Sequence, residues 1–269
     1  MNIAFWSNVA GKSATSGNML AVSTMTSLLY SLKVVLMQVD YCSKSIESVL
    51  EGKHDEMVIN DNFAYYNQKG MDDLFDKIKL NNICEEDIID NMVNVKDTSM
   101  FYIPPSRQLH LGVEERENGR NIETLLNMME NIGDINFIDN INGSKYLSKK
   151  ILRHADVIVC NLHQGMEDML DIMQNEKLMQ KTVFLVGRYD SNSRENIAHI
   201  RKKYGIKREQ IAAIPYNISF HDSIQEGKVV PFISKNIFSK RTDNNFDFIN
   251  NLFNATNMIL KKAGYHEAD

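Results

Sequence analysis

The sequence predicts an α/β domain built on a mostly parallel sheet with helices on both faces. Three observations point there. Short apolar runs recur along the chain, they are continuous rather than alternating, and helical patterns separate several of them. A strand that is apolar at every position buries both of its faces, and that is the habit of strands in a parallel sheet between helices.

The elements follow in order. Ile3 to Trp6 predicts the first strand. Val22, Met25, Leu29 and Leu32 repeat at helical spacing and predict one face of a helix. Val34 to Val39 is a second apolar run that ends at Asp40. Later runs are Met100 to Ile103, Asn136 to Ile138, Val157 to Cys160, Val183 to Val186 and Ala212 to Ile214, giving about seven strands. Helical patterns lie at Ile122 to Met129, at Tyr146 to Leu152, and at Ile197, Ile200 and Tyr204, the last stopped by Gly205. Phe246, Ile249, Leu252, Phe253, Ile259 and Leu260 mark a final helix. The stretch 52–95 fits the alternation least and predicts an excursion of short helices. No internal linker interrupts the pattern, so 1–269 is read as a single domain.

Composition narrows the function classes. Of 269 residues 43% are apolar and 24% charged, too apolar for a disordered chain. The net charge of −5 argues against a whole-surface affinity for nucleic acid. No run is long and apolar enough to span a membrane, and the first residues lack the layout of a signal peptide. Cys42, Cys84 and Cys160 are far apart, form no CxxC pair, and read as reduced thiols of a cytoplasmic protein. The seven His residues form no metal pattern, and the 15 Met residues read as core filling.

In such a sheet, ligands sit at the carboxyl ends of the strands. After the first strand comes a small-residue loop, Ser7 to Asn18, and then the helix. Its backbone N–H groups and the helix N-terminus suit an anion. Gly11-Lys12-Ser13 matches the end of G-x-x-x-x-G-K-[ST], although Trp6 stands where the first Gly belongs. The competing reading is a small-residue turn that lets the helix pack close to the sheet. Asp40 and Asp139 each end a strand. A carboxylate there can hold Mg²⁺ or orient an attacking water, or simply cap a turn.

Strand, loop, helix and VVLMQVD together resemble the opening of the MinD/ParA family of deviant P-loop ATPases. MFYIPPS is similar to that family's third strand and turn, INFIDNINGS to its Walker B strand and switch II, and HADVIVCNLHQ to the strand after it. FLVGRYDSNS and AAIPYNISFHDSIQEGKVVPF resemble the two units around the adenine. The resemblance implies a P-loop NTPase-like (Rossmann-like) fold, bound ATP and Mg²⁺, and a nucleotide-dependent homodimer that positions a partner assembly. Its nearest look-alikes are the TadZ/CpaE-type proteins of tight-adherence (Flp) pili, which implies a pilus or secretion ATPase as partner and recruitment to the membrane or pole through that partner. Carried over, Gly11, Lys12, Ser13, Thr15 and Ser16 line the phosphates, Ser13 and Asp139 serve the metal, and Asp40 serves the attacking water or switch I. Arg188, Pro215 and Asn217 lie on the adenine side, with Gly187 in place of the family's Asn.

The loop departs from the family's K-G-G-x-G-K-[ST]. Counting back five from Lys12 gives Ser7, and the glycines are replaced by Asn8 and Val9. A register shifted toward Thr15 loses the P-loop Lys as well. Without the Lys that reaches across the dimer, the reading includes very slow hydrolysis or binding without turnover. A degenerate scaffold, a ParA-type DNA-segregation ATPase and a small-molecule ligase or kinase on the same fold are the rivals. The clusters at Lys145 to Arg153, Arg201 to Lys203 and Lys207-Arg208 read as solvated basic faces, and the terminal helix as a packed one rather than a membrane anchor.

Overall fold

The computed structural model describes residues 1–9, 11–39, 45–51, 70–106, 115–140, 145–165, 172 and 175–265. Asp40, Cys42 and the first part of the expected excursion, 52–69, lie outside the described residues. Eight strands form one sheet: β1 (Asn2–Trp6), β2 (Val34–Gln38), β3 (Val93–Asn94), β4 (Met100–Ile103), β5 (Ile135–Asp139), β6 (Val157–Leu162), β7 (Thr182–Tyr189) and β8 (Ile211–Pro215), in the order β3-β4-β2-β5-β1-β6-β7-β8. Seven of them run parallel. The eighth, β3, is a two-residue antiparallel addition to β4. It was not legible because a pair this short carries no periodicity.

The continuous apolar runs split by alternate residues into two cores. Ile3, Phe5, Leu36, Phe137, Val159 and Leu185 face one side, under helices Thr15–Leu29 and Phe246–Lys262. Ala4, Val35, Met37, Ile138, Ile158 and Phe184 face the other, under helices Glu115–Met129 and Lys145–His154. Side chains alternate along a strand, so only a strand apolar at every position serves both cores. The later half of the excursion is helical, at Met71–Lys79 and Glu85–Asn91.

Asparagines sit among these apolar residues. Asn136 in β5 donates to the Asn2 side chain in β1 at 2.9 Å, and both are fully buried. Asn136 Nδ2 also donates to the Met129 carbonyl at 3.1 Å, whereas its Oδ1 is buried without a partner. The sheet order puts β1 centrally, with β5 and β6 on its flanks. The loop after β1 therefore opens into a crevice between the ends of β5 and β6.

Candidate nucleotide site

Ser7 follows Trp6, the last residue of β1, and organises the loop. Its Oγ lies 2.6 Å from Ser13 Oγ, and it accepts from the Val9 backbone N–H at 3.3 Å. Two residues in the left-handed region turn the chain: Gly11 at φ 75° and Ala14 at φ 54°. Helix Thr15–Leu29 starts immediately after Ala14. No side chain caps it, and no acidic residue occupies its first turn, so its first N–H groups and dipole face the crevice unopposed.

In that first turn Ser16 Oγ donates to Asp139 Oδ2 at 2.5 Å. Gln38 Nε2 donates to the same oxygen at 3.3 Å. The register explains the meeting: Asp139 stands opposite Phe5 of β1 and Gln38 of β2. Val39 donates its backbone N–H to the Asp139 carbonyl at 3.2 Å.

This contact offers a second register for the loop. In a P-loop the Ser/Thr hydroxyl at the helix start and the Asp at the neighbouring strand end serve one Mg²⁺. Ser16 is the hydroxyl beside Asp139. Ser13, the hydroxyl read for the metal, is buried, and its Oγ lies against that of Ser7. Lys12 is exposed in the loop, three residues ahead of the helix. The P-loop Lys belongs immediately before the hydroxyl, and Thr15 stands there. Five residues earlier stands Ala10, so the cross-dimer Lys is missing as well. The G-K-S string drew the reading to Lys12. The helix start at Thr15 and the Ser16–Asp139 contact are the ground for the second register.

Arg188, Pro215 and Asn217, expected on the adenine side from the resemblance, lie together. They line one cleft with Ala14, Gly17 and Asn18 of the helix start. Arg188 is exposed and left-handed at φ 50°, where β7 shifts its pairing with β8. Asn217 has structural work: its Oδ1 accepts from Phe220 N at 2.8 Å, capping helix Ile218–Gln225, and its Nδ2 donates to Asn245 at 3.0 Å. Gly187, in place of the family's Asn, has a steric reason. A Cβ there would lie 2.1 Å from the Ser13 carbonyl oxygen and 2.7 Å from Asn18 Nδ2.

Three further residues escaped the sequence reading. Asn18 Nδ2 donates to the Ser13 carbonyl at 3.1 Å and to Asn161 Oδ1 at 2.8 Å, tying loop to β6. Asn161 sits within the apolar run of β6, so hydropathy hid it. Replacing Asn18 with Ala is expected to cost about 1–3 kcal/mol in urea unfolding, because two buried acceptors lose their donor. His163, just after β6, has a buried Nδ1 without a partner. Burial and the nearby Lys12 charge push its pKa down, so it favours the neutral form. Among the described residues no His, Cys, Asp and Glu group forms a self-sufficient metal cage. Ser16 and Asp139 instead suit Mg²⁺ held jointly by protein and phosphate.

No family model matches the chain, and no curated protein matches its sequence. Solved structures match nearly all of it. A ParA family ATPase from Chlorobium tepidum TLS superposes with a TM-score of 0.67 at 14% identity, over 95% of this chain and 96% of that one. The chain has the MinD/ParA ATPase fold. A Cyanothece McdA variant in complex with ATP gives 0.66 at 11% identity, over 100% and 98%. The Pyrococcus horikoshii OT3 septum site-determining protein MinD, complexed with Mg-ADP, gives 0.64 at 14% identity, over 98% and 97%. At these identities the MinD/ParA likeness is one of fold, and the residues of the crevice must carry the chemistry themselves.

Proposed function

We propose that this protein is a nucleotide-binding positioning protein of the MinD/ParA type that takes Mg·ATP but turns it over very slowly. One observation carries the reading: the Ser16–Asp139 pair, at 2.5 Å, at the start of an uncapped helix. Ser16 and Asp139 would hold the metal, and the helix N-terminus with the Gly11 turn would take the phosphates. Bound Mg²⁺ supplies charge neutralisation between phosphates. The protein's own share is to orient them with backbone N–H groups, since in the Ser16 register neither lysine position is filled. Arg188 and Pro215 border the base. Asp40, by its place after β2 in the sequence, remains the proposed group for the attacking water.

Calorimetric titration tests this reading. Mg·ATP is expected to bind the full chain, and Ser16→Ala to weaken Mg·ATP more than metal-free ATP. Equal losses for both ligands would refute the metal role. By its resemblance to TadZ/CpaE-type proteins, the switch would form a nucleotide-dependent homodimer and position a pilus or secretion ATPase. The missing lysines favour one second reading, a scaffold that retains the fold and no longer hydrolyses. A bound nucleotide with no turnover under any partner would select it.

A further inference from the structure

β8 closes the sheet on the side away from β3. It pairs with β7 and with no other strand among the described residues. Along it runs a groove of ≈ 410 Å³. Ile211, Ala212 and Ala213 form one wall, and Asn251, Asn254 and Met258 of the last helix belong to the other. Arg208, Glu209 and Lys261 line it too. Ala212 is partly exposed while Ile211, Ala213 and Ile214 are buried, so an incoming chain reaches the strand through this groove. An unpaired strand beside a helix is the geometry that accepts an added strand.

The electrostatics are local and opposite to the whole. Residues 194–210 carry six basic and two acidic side chains, in a chain of net charge −5. Lys202, Lys203, Lys207 and Arg208 are exposed there, and Lys261 adds to them from the last helix. Nothing in the nucleotide crevice uses these groups, and the groove shares no residue with it.

We propose that the β8 edge docks an acidic, extended segment of a partner protein as an added strand. The backbone N–H and C=O groups of Ile211 to Ile214 that are turned away from β7 pair with the incoming strand. Arg208 and Lys261 meet its carboxylates, and the exposed Asn254 amide hydrogen-bonds along its length. A second copy of this chain fits poorly, because its own β8 edge carries the same positive excess. A nucleic acid satisfies the cations but lacks the alternating N–H and C=O groups that an open strand edge pairs with.

Fluorescence anisotropy of the full chain with a labelled Glu-Val-Asp-Val-Glu-Val-Asp peptide tests the proposal. Saturable binding is expected, weakened at least tenfold in an Arg208→Glu, Lys261→Glu double variant whose melting temperature is unchanged. A peptide N-methylated at alternate residues is expected to lose binding to a similar extent, and amide exchange at 211–214 to slow when the unmodified peptide is bound. Absence of peptide binding overturns the proposal. Equal binding of the N-methylated peptide overturns it as well, since attraction of charge alone would then suffice. Tighter binding of a 20-mer of thymidylate at the same residues assigns the edge to nucleic acid instead. If the double variant does not fold, the exchange measurement on the unmodified chain decides.

Discussion

The purified protein is expected to hydrolyse Mg·ATP at least ~10³-fold more slowly than the ~1–100 s⁻¹ of protein kinases. Charge builds on the transferring phosphoryl group, and catalysis there is mostly positioning and electrostatic stabilisation. Ala10 and Thr15 occupy the two positions where this family's fold would carry lysines, once Ser16 is taken as the metal-side hydroxyl. A supplied cation is worth ~10³–10⁵ in phosphoryl transfer, by analogy with an arginine finger. Thr15→Lys is therefore expected to raise both ATP affinity and turnover, the latter by at least about tenfold, measured by phosphate release. Lys12→Ala separates the two registers. If Ser16 sets the register, the variant weakens binding only modestly. If Lys12 is the working P-loop lysine, it abolishes the thermal shift produced by Mg·ATP, which at ligand ~100-fold above Kd amounts to about 2.7 kcal/mol of stabilisation. Fast turnover by the unaltered chain would show that a residue other than these supplies the charge.

Gly187→Ala is expected to be the most damaging single methyl among the described glycines. The added Cβ would sit 2.1 Å from a backbone oxygen, that of Ser13, and 2.7 Å from Asn18 Nδ2. Backbone cannot swing aside as a side-chain tip can, so either β7 or the loop must move. Overpacking costs about 1–3 kcal/mol and occasionally more, and the contact with main chain places this case at about 3. For a chain of this size that lowers the melting temperature by on the order of 6–12 °C. Because the shift falls on Ser13, and Ser13 is bonded to both Ser7 and Asn18, the loop moves with it. Loss of Mg·ATP binding is expected to accompany the loss of stability. A melting temperature within 2 °C of the unaltered protein's, set against the same slope, would mean that β7 and the loop separate freely.

Hydropathy was enough to read seven parallel strands, because a strand buried on both faces announces itself by an unbroken apolar run. It was also enough to place Asp139 at a strand end and a loop before a helix. The two-residue β3 was beyond it. So were Asn18, Asn136 and Asn161, since a single amide inside an apolar run looks like noise until its partner across the sheet is known.

By itself, then, the sequence determined the α/β class, the crevice at the strand ends and the family likeness, all of which depend on residue type and spacing along the chain. It left the loop register open between Lys12 and Thr15. Only the tertiary structure brings a second candidate hydroxyl, that of Ser16, against Asp139. The start of the helix at Thr15 and the hydrogen bond from Ser16 to Asp139, 123 residues away, are set by the pairing of β1 with β5. The need for Gly at position 187 was decided the same way, by the approach of β7 to Ser13. Spacing along a chain encodes which face a residue occupies. It does not encode which distant strand will lie against that face, and the Ser16–Asp139 contact is made between a helix and such a strand.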